Sequence, residues 1–394
     1  MIRTIGKILK WVAIVVGSLL FLGFLYVWFI LLAKPKAING AGEINDYEWH
    51  TVAMQGQTSC SDGSPFSIFT RKGNSDNLII HFSGGGACWD NITCAAPISL
   101  MSIFDGDAKQ LKSFYFPNVI KLFPAILTGF LDGEAESNPF KDWNVVFIPY
   151  CTGDLHIGNT TNSYRVDDKQ FEIHHNGRNN SLAALQWVFD NFKKTGKILV
   201  SGESAGAYAS AFWAPYVAEQ YENKTIYQLS DGALLTSNRW IEILDTVWKA
   251  ESLSYLKFKI EDDIYEDALL QRHDSSNNRI KHLNSNTIYD LVLPRFSAAL
   301  NHTPTSTDDF IDGWSANMRA SMKRLADSDI EYEYFLSDSK YDPKNHSTPH
   351  TLTGIDYYNC NADQISFPDW LKKNIIEDKS LSVGGKLFNA EKNN

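Results

Sequence analysis

The stretch "KILVSGESAGAYASAFW", residues 197–213, limits what this chain can fold into more than any other. An apolar run ends at Ser201, a Gly-x-Ser-x-Gly core follows, and helix-forming residues continue from Ala205. That order predicts a strand, a sharp turn and a helix, with Ser204 on the turn. Glycine on both sides lets neighbouring backbone approach the serine, and the turn lifts Oγ into the crevice at the carboxyl end of a sheet. The bland alternative is one serine in a Gly/Ala-rich turn. The strand before it and the helix after it favour a nucleophile.

The rest of the chain repeats the same alternation. Short apolar runs occur at "NLIIHFS" (77–83), "NVVFIPY" (144–150), "TIYQLSDGALL" (225–235) and "IEYEYFLS" (330–337). Several lack polar alternation, as strands covered on both faces do. Amphipathic stretches of helical length, such as residues 179–195, lie between them. The expected fold class is α/β, with a mostly parallel, doubly wound sheet. The apolar segment 113–133 falls between two strands, where loops are usually polar. It reads either as core cover or as a lid that lines an acyl pocket or touches a membrane.

Charge excludes one class of partner. The formal net charge is −10 and no basic stripe runs along the chain, so nucleic acid is not expected. Near the N-terminus, the run from Trp11 to Ala33 carries no charge. As a helix it rises roughly 34 Å, enough to cross a bilayer core. It exceeds the apolar core of a cleaved signal and is followed by "KPK", which favours a signal anchor over a cleaved signal. Arg3, Lys7 and Lys10 before it, against Lys34 and Lys36 after, give a slender positive-inside bias. The remainder is then expected on the non-cytosolic side of a single-pass membrane protein, or secreted if the signal is cleaved. Five cysteines suit an oxidising compartment, and sequons at Asn91, Asn159, Asn179, Asn223, Asn301 and Asn345 permit glycosylation. The expected organisation is an anchor over 1–34, a linker over 35–50, a catalytic domain over 51–380 and a polar tail over 381–394.

A nucleophilic serine needs oxyanion donors, a base and an acid. "HFSGGGACW" (81–89) puts three glycines directly after an apolar strand, where backbone N–H groups can reach a developing oxyanion. Gly85 or Gly86, with Ala205, would supply the donors. A nucleotide-binding glycine loop is disfavoured, because no GxGxxG or Walker pattern follows. His350 in "KNHSTPHTL" follows the late strand on a Pro-containing loop and is the expected base; His346 lies nearby. His174 and His175 precede the serine and have the wrong order. A metal pair at His346 and His350 would need a helix that Pro349 breaks, and no CxxC or HExxH occurs, so neither metal nor cofactor is expected. For the acid, Asp231, Asp308, Asp309 and Asp338 all stay open on spacing alone.

Taken in order, these segments resemble the Notum and pectin acetylesterase family. The matching pieces are "CSDGSPFSIF" (60–69), "LIIHFSGGGACWDNITC" (78–94), "NPFKDWNVVFIPYCTGDLHIG" (138–158), "SGESAGAYAS" (201–210), "LSDGALL" (229–235) and "PHTL" (349–352). The resemblance implies an α/β-hydrolase-like fold and hydrolysis of carboxylic esters by a Ser-Asp-His triad without metal. Relatives deacetylate polysaccharides or remove a fatty acyl group from a secreted protein, so the implied partner is an acylated glycan, protein or lipid-like ester. The family's order places the acid at Asp308, with Asp309 as rival, and makes Asp231 structural. The glutamine that relatives carry three residues past the acid is absent; Ile311 and Asp312 stand there. The resemblance also implies disulfides Cys88–Cys94 and Cys60–Cys151, with Cys360 free. Glu203 is a departure, and its "GESAGA" spelling is that of type-B carboxylesterases, the runner-up family. The competing class is a membrane-tethered binding protein that kept the fold and lost activity.

Overall fold

The computed structural model describes residues 10–12, 14–19, 21–23, 34–98, 115–123, 127–271, 279–303 and 307–389. In chain order the strands are β1 (Trp49–Ala53), β2 (Ser67–Arg71), β3 (Leu78–Phe82), β4 (Asn144–Ile148), β5 (Thr160–Val166), β6 (Lys169–His175), β7 (Ile198–Glu203), β8 (Ile226–Asp231), β9 (Ile280–Thr287) and β10 (Tyr332–Ser337). β5 and β6 form a separate antiparallel hairpin. The other eight make one sheet in the order β1-β2-β4-β3-β7-β8-β9-β10. From β4 to β10 every neighbouring pair is parallel; β2 alone runs the other way, antiparallel to both β1 and β4. This mixed α/β architecture agrees with the α/β-hydrolase-like expectation.

The central strands have no solvent face. Ile79, Ile80, Val145, Val146, Leu199 and Val200 are fully buried, each contributing roughly 1.5–3 kcal/mol by leaving water. The helix Ala205–Gln220 packs on β7 and β8, and Gly177–Asn191 contacts β4. A parallel sheet needs such crossovers, and all carboxyl ends of its strands then open on one edge.

Several segments differ from the sequence reading. Residues 35–50 are not a loose linker: Ile38 N–H donates to Thr51 O at 2.9 Å, and Ile38 and Ile44 are buried. Residues 381–389, expected as tail, lie along β10, with Leu336 N–H donating to Val383 O at 3.1 Å and Val383 N–H to Tyr334 O at 2.9 Å. The apolar segment 113–133 mainly covers the core. Phe123 stacks on Phe69 with ring centroids 3.7 Å apart, and Val119, Ile120, Phe130 and Leu131 are buried; residues 113–114 and 124–126 lie outside the described residues. The transmembrane expectation over 11–33 also falls largely outside them. Its described parts are helical and expose Trp11, Leu19 and Phe21. Among the described residues no helix is long and apolar enough to cross a membrane. Cys60–Cys151 and Cys88–Cys94 are disulfides, and Cys360 is free and buried.

Candidate active site

β7 runs straight into the helix Ala205–Gln220 through one residue, Ser204, whose backbone has φ 53° and ψ −118°. A non-glycine residue held there is strained, and here the surroundings impose it: Ser204 N–H donates to Asp231 O at 2.8 Å, and Ala207 N–H donates to Ser204 O at 3.0 Å. The flanking glycines are required by contact. A Cβ on Gly202 would meet Gly206 O at 2.0 Å, and one on Gly206 would meet Phe82 O at 1.9 Å.

The elbow opens on a cavity of 430 Å³ that Gly84, Gly85, Gly86, Ser204, Ala205 and His350 line together. Its walls are mainly apolar, built from Phe116, Leu155, Tyr208, Trp240, Leu293 and Phe296. Phe116 is where the 113–133 segment reaches the site. Gly84 N–H is engaged, donating to Glu203 Oε1 at 2.8 Å. The N–H groups of Gly85 and Gly86 have no protein acceptor among the described residues. Ala205 is the first helical residue, so its N–H has no intrahelical carbonyl to reach.

His350 is held by an aspartate that the sequence reading missed. Its Nδ1 lies 2.9 and 2.8 Å from Oδ1 and Oδ2 of Asp290. The Asp290 side chain is 1% exposed, and Oδ1 also accepts the N–H groups of Val292 and Leu293 at 2.7 and 2.8 Å. Backbone pairing aligns the two loops: Leu291 N–H donates to Thr348 O at 3.0 Å, and Thr348 N–H to Tyr289 O at 2.8 Å. Thr287 Oγ1 adds a bond to Pro349 O at 2.6 Å. Burial pulls the imidazole pKa down, but the charge and hydrogen bond of Asp290, helped by Asp231 and Glu203, leave it raised overall.

Asp308 and Asp309 are therefore corrected as partners of His350. Both stand exposed on the first turn of the helix Asp308–Ala326. The reason is β9. Its second half, Asn284-Ser285-Asn286-Thr287, is polar yet buried, because the strand hides inside the sheet while its side chains bond within it. Ser285 Oγ donates to Asp231 Oδ1 at 2.7 Å, and Asn284 Nδ2 donates to Ser230 O at 3.2 Å. A polar strand gives no hydrophobic signal, so the loop after it, with Asp290, went unread. One clue existed: Asp290 shortly before Leu293-Pro294 is a helix-start pattern.

The other candidates have different partners. Asp231 accepts from Leu352 N–H, Thr353 N–H and Thr353 Oγ1 at 2.7, 2.7 and 2.8 Å, which binds down the loop after His350. His346 pairs with Asp312 at 2.9 Å, and Asp338 is exposed. His174 bonds to Thr161, and buried His175 to Tyr164 and Thr152. Cys88, Cys94 and His175 approach closely enough to hold a metal ion, but the disulfide leaves no thiolate to bind one.

The pectinacetylesterase family model matches residues 45–247. That range holds Ser204 and the glycine loop; Asp290 and His350 lie beyond it. Pectin acetylesterase 11 of Arabidopsis thaliana is 29% identical over 137 residues, 34% of this chain and 31% of the relative. Palmitoleoyl-protein carboxylesterase notum2 of Xenopus laevis is 30% identical over 106 residues, 26% of this chain and 19% of the relative. The human palmitoleoyl-protein carboxylesterase NOTUM is 26% identical over 135 residues, 34% of this chain and 25% of the relative. The matches thus span less than two thirds of each relative's length.

Proposed function

This chain belongs to the pectinacetylesterase family, and from that premise we propose that it is a carboxylic-ester hydrolase working through an acyl-enzyme on Ser204. His350 takes the Ser204 proton as Oγ attacks the ester carbonyl, and Asp290 orients the ring and stabilises its charged form. The N–H groups of Gly85, Gly86 and Ala205 receive the tetrahedral oxyanion, each worth about 3–4 kcal/mol by analogy with measured donors. The imidazolium then protonates the departing alcohol. Water, deprotonated by the same imidazole, attacks the acyl-serine, and the carboxylic acid leaves with Ser204 Oγ–H restored. The observation that carries this reading is the His350–Asp290 pair on the same cavity as a strained serine elbow and a glycine loop.

The apolar walls support an acyl chain of several methylenes over an acetyl group alone. The alcohol part is a glycan, a protein hydroxyl or a lipid-like alcohol. p-Nitrophenyl esters from acetate to decanoate test the dependence on Ser204 and the acyl-chain length on the full chain. Turnover lost in Ser204→Ala, with kcat/KM rising about fourfold per methylene until the cavity fills, is the expected result. Undiminished turnover in Ser204→Ala would end the proposal. An optimum at acetate would end the longer-chain reading.

Two disulfides favour an oxidising compartment. We therefore place the domain on the non-cytosolic side, tethered by the uncharged run Trp11–Ala33. Protease protection of the full chain in sealed membranes tests this; a protein released by alkaline carbonate would refute the tether.

A further inference from the structure

We propose that Glu203 is a positioning residue for the oxyanion loop, tying Gly84–Gly86 to the strand that carries Ser204, and that His81 holds Glu203 in place. The inference rests on the esterase reading above. β3 and β7 pair in register as far as Phe82–Gly202. Beyond that point the chains part: one becomes the glycine loop, the other the serine elbow. The Glu203 side chain spans this gap. Its Oε1 accepts the Gly84 N–H at 2.8 Å, a group the ladder no longer serves.

The other oxygen is fixed from below. Oε2 lies 2.5 Å from His81 Nε2, within ion-pair distance though out of line for a well-formed hydrogen bond. His81 is buried on β3, and its Nδ1 sits 3.0 Å from Ser201 Oγ on β7. The chain of contacts from Ser201 through His81 and Glu203 to Gly84 therefore begins on the nucleophile strand and ends on the loop. Gly84 also lies flat against the elbow: a Cβ there would meet Glu203 O at 2.7 Å and Ser204 Cβ at 3.0 Å.

Such a pin answers a physical need. Three successive glycines have wide conformational freedom, while oxyanion donors must stand within a few tenths of an ångström of the developing charge to be useful. Glu203 has a second effect, because it also faces the cavity. Its charge acts on His350 in the same sense as Asp290 and Asp231, favouring the imidazolium.

The test compares Glu203→Ala, Glu203→Gln and His81→Asn in the full chain. The readouts are kcat, KM, the pH profile and inhibition by an acyl trifluoromethyl ketone, whose hemiketal oxygen occupies the oxyanion hole. Glu203→Ala is expected to lower kcat by about 10- to 100-fold with KM nearly unchanged, and to weaken the ketone by a similar factor. Affinity for the product acid should stay the same. Glu203→Gln keeps an oxygen for Gly84, so kcat should hold within about fivefold. Its loss of charge should move the acid limb of kcat/KM to lower pH, because the imidazolium of His350 loses a stabilising neighbour. His81→Asn should reproduce the Glu203→Ala pattern more weakly.

Wild-type kcat and ketone affinity in Glu203→Ala would overturn the inference. So would a loss in Glu203→Gln as large as in Glu203→Ala, and the near-isosteric variant keeps the question open to measurement if the alanine chain does not fold. A wild-type Ser204 that resists a fluorophosphonate would instead end the esterase reading, and the positioning role with it. An active wild type with an indifferent Glu203→Ala ends the positioning role alone.

Discussion

Asp290→Asn separates the geometry from the order of residues along the chain. Asparagine keeps the shape and one acceptor oxygen, so the N–H groups of Val292 and Leu293 stay served and the start of the helix Leu293–Leu300 is preserved. What changes is the partner of His350 Nδ1, now at 2.9 and 2.8 Å from two carboxylate oxygens. Losing one charge-assisted hydrogen bond accounts for about 1.5–3 kcal/mol, or 10- to 150-fold in rate. An amide N–H against Nδ1 also imposes the tautomer that cannot accept the serine proton, and the precedent for that defect is about 10⁴-fold. We therefore expect kcat for a p-nitrophenyl ester to fall by about 10³- to 10⁴-fold, with KM changed little. Asp308→Asn should stay within about twofold, since an exposed helix-turn carboxylate touches none of these groups. The melting temperature serves as the folding control. A loss below about tenfold in Asp290→Asn, or a large loss in Asp308→Asn, would refute the assignment of the acid.

Other outcomes follow from the same contacts. Because His350 must be neutral to act as base and its pKa is raised, the acid limb of kcat/KM should lie above the ordinary histidine value of about 6.5. Asp290→Asn should move what activity remains toward lower pH; a wild-type limb below that value would contradict the site's electrostatics. Burial, with a contribution from Glu266, pushes the Asp263 carboxyl up to about 7. A raised acid is neutral in the folded chain, so its contribution is complete below the unfolded value of about 3.9 and is lost as pH rises through 7, by at most ~4 kcal/mol. Urea midpoints of Asp263→Asn should therefore be flatter across that window than those of the wild type, and an unchanged slope would count against it. Loop closure predicts that removing Cys60–Cys151, with a separation of 91 residues, destabilises more than removing Cys88–Cys94, with a separation of 6, by about 2 kcal/mol. Denaturant unfolding of the two double serine variants checks that ranking.

How much of this was legible depended on whether local chemistry announced itself. β3, β4 and the first half of β7 were readable because buried parallel strands are continuous apolar runs, and β8 and β10 because large apolar and aromatic residues still punctuate them. The elbow was readable because its glycines are demanded by carbonyl oxygens that would stand within 2.0 Å of any added Cβ, a constraint that shows in the residue type. β9 was not, because its buried Asn284 and Ser285 side chains bond to Ser230 and Asp231 on β8, partners that only the sheet supplies. The role of Glu203 was equally hidden. Read alone it is a carboxylate beside a serine; its meaning comes from Gly84 and His81, more than a hundred positions earlier in the chain.

By itself, the sequence determined the α/β alternation, the serine on its turn, the glycine loop and the family, because each of these is written within a few neighbouring residues. The tertiary structure alone decided which of the many aspartates faces His350. That choice is made by the pairing of residues 289–291 with Thr348, across about sixty positions of chain. A carboxylate becomes the partner of an imidazole by standing within hydrogen-bonding distance of it, and three-dimensional distance is the one property that order along a chain does not carry.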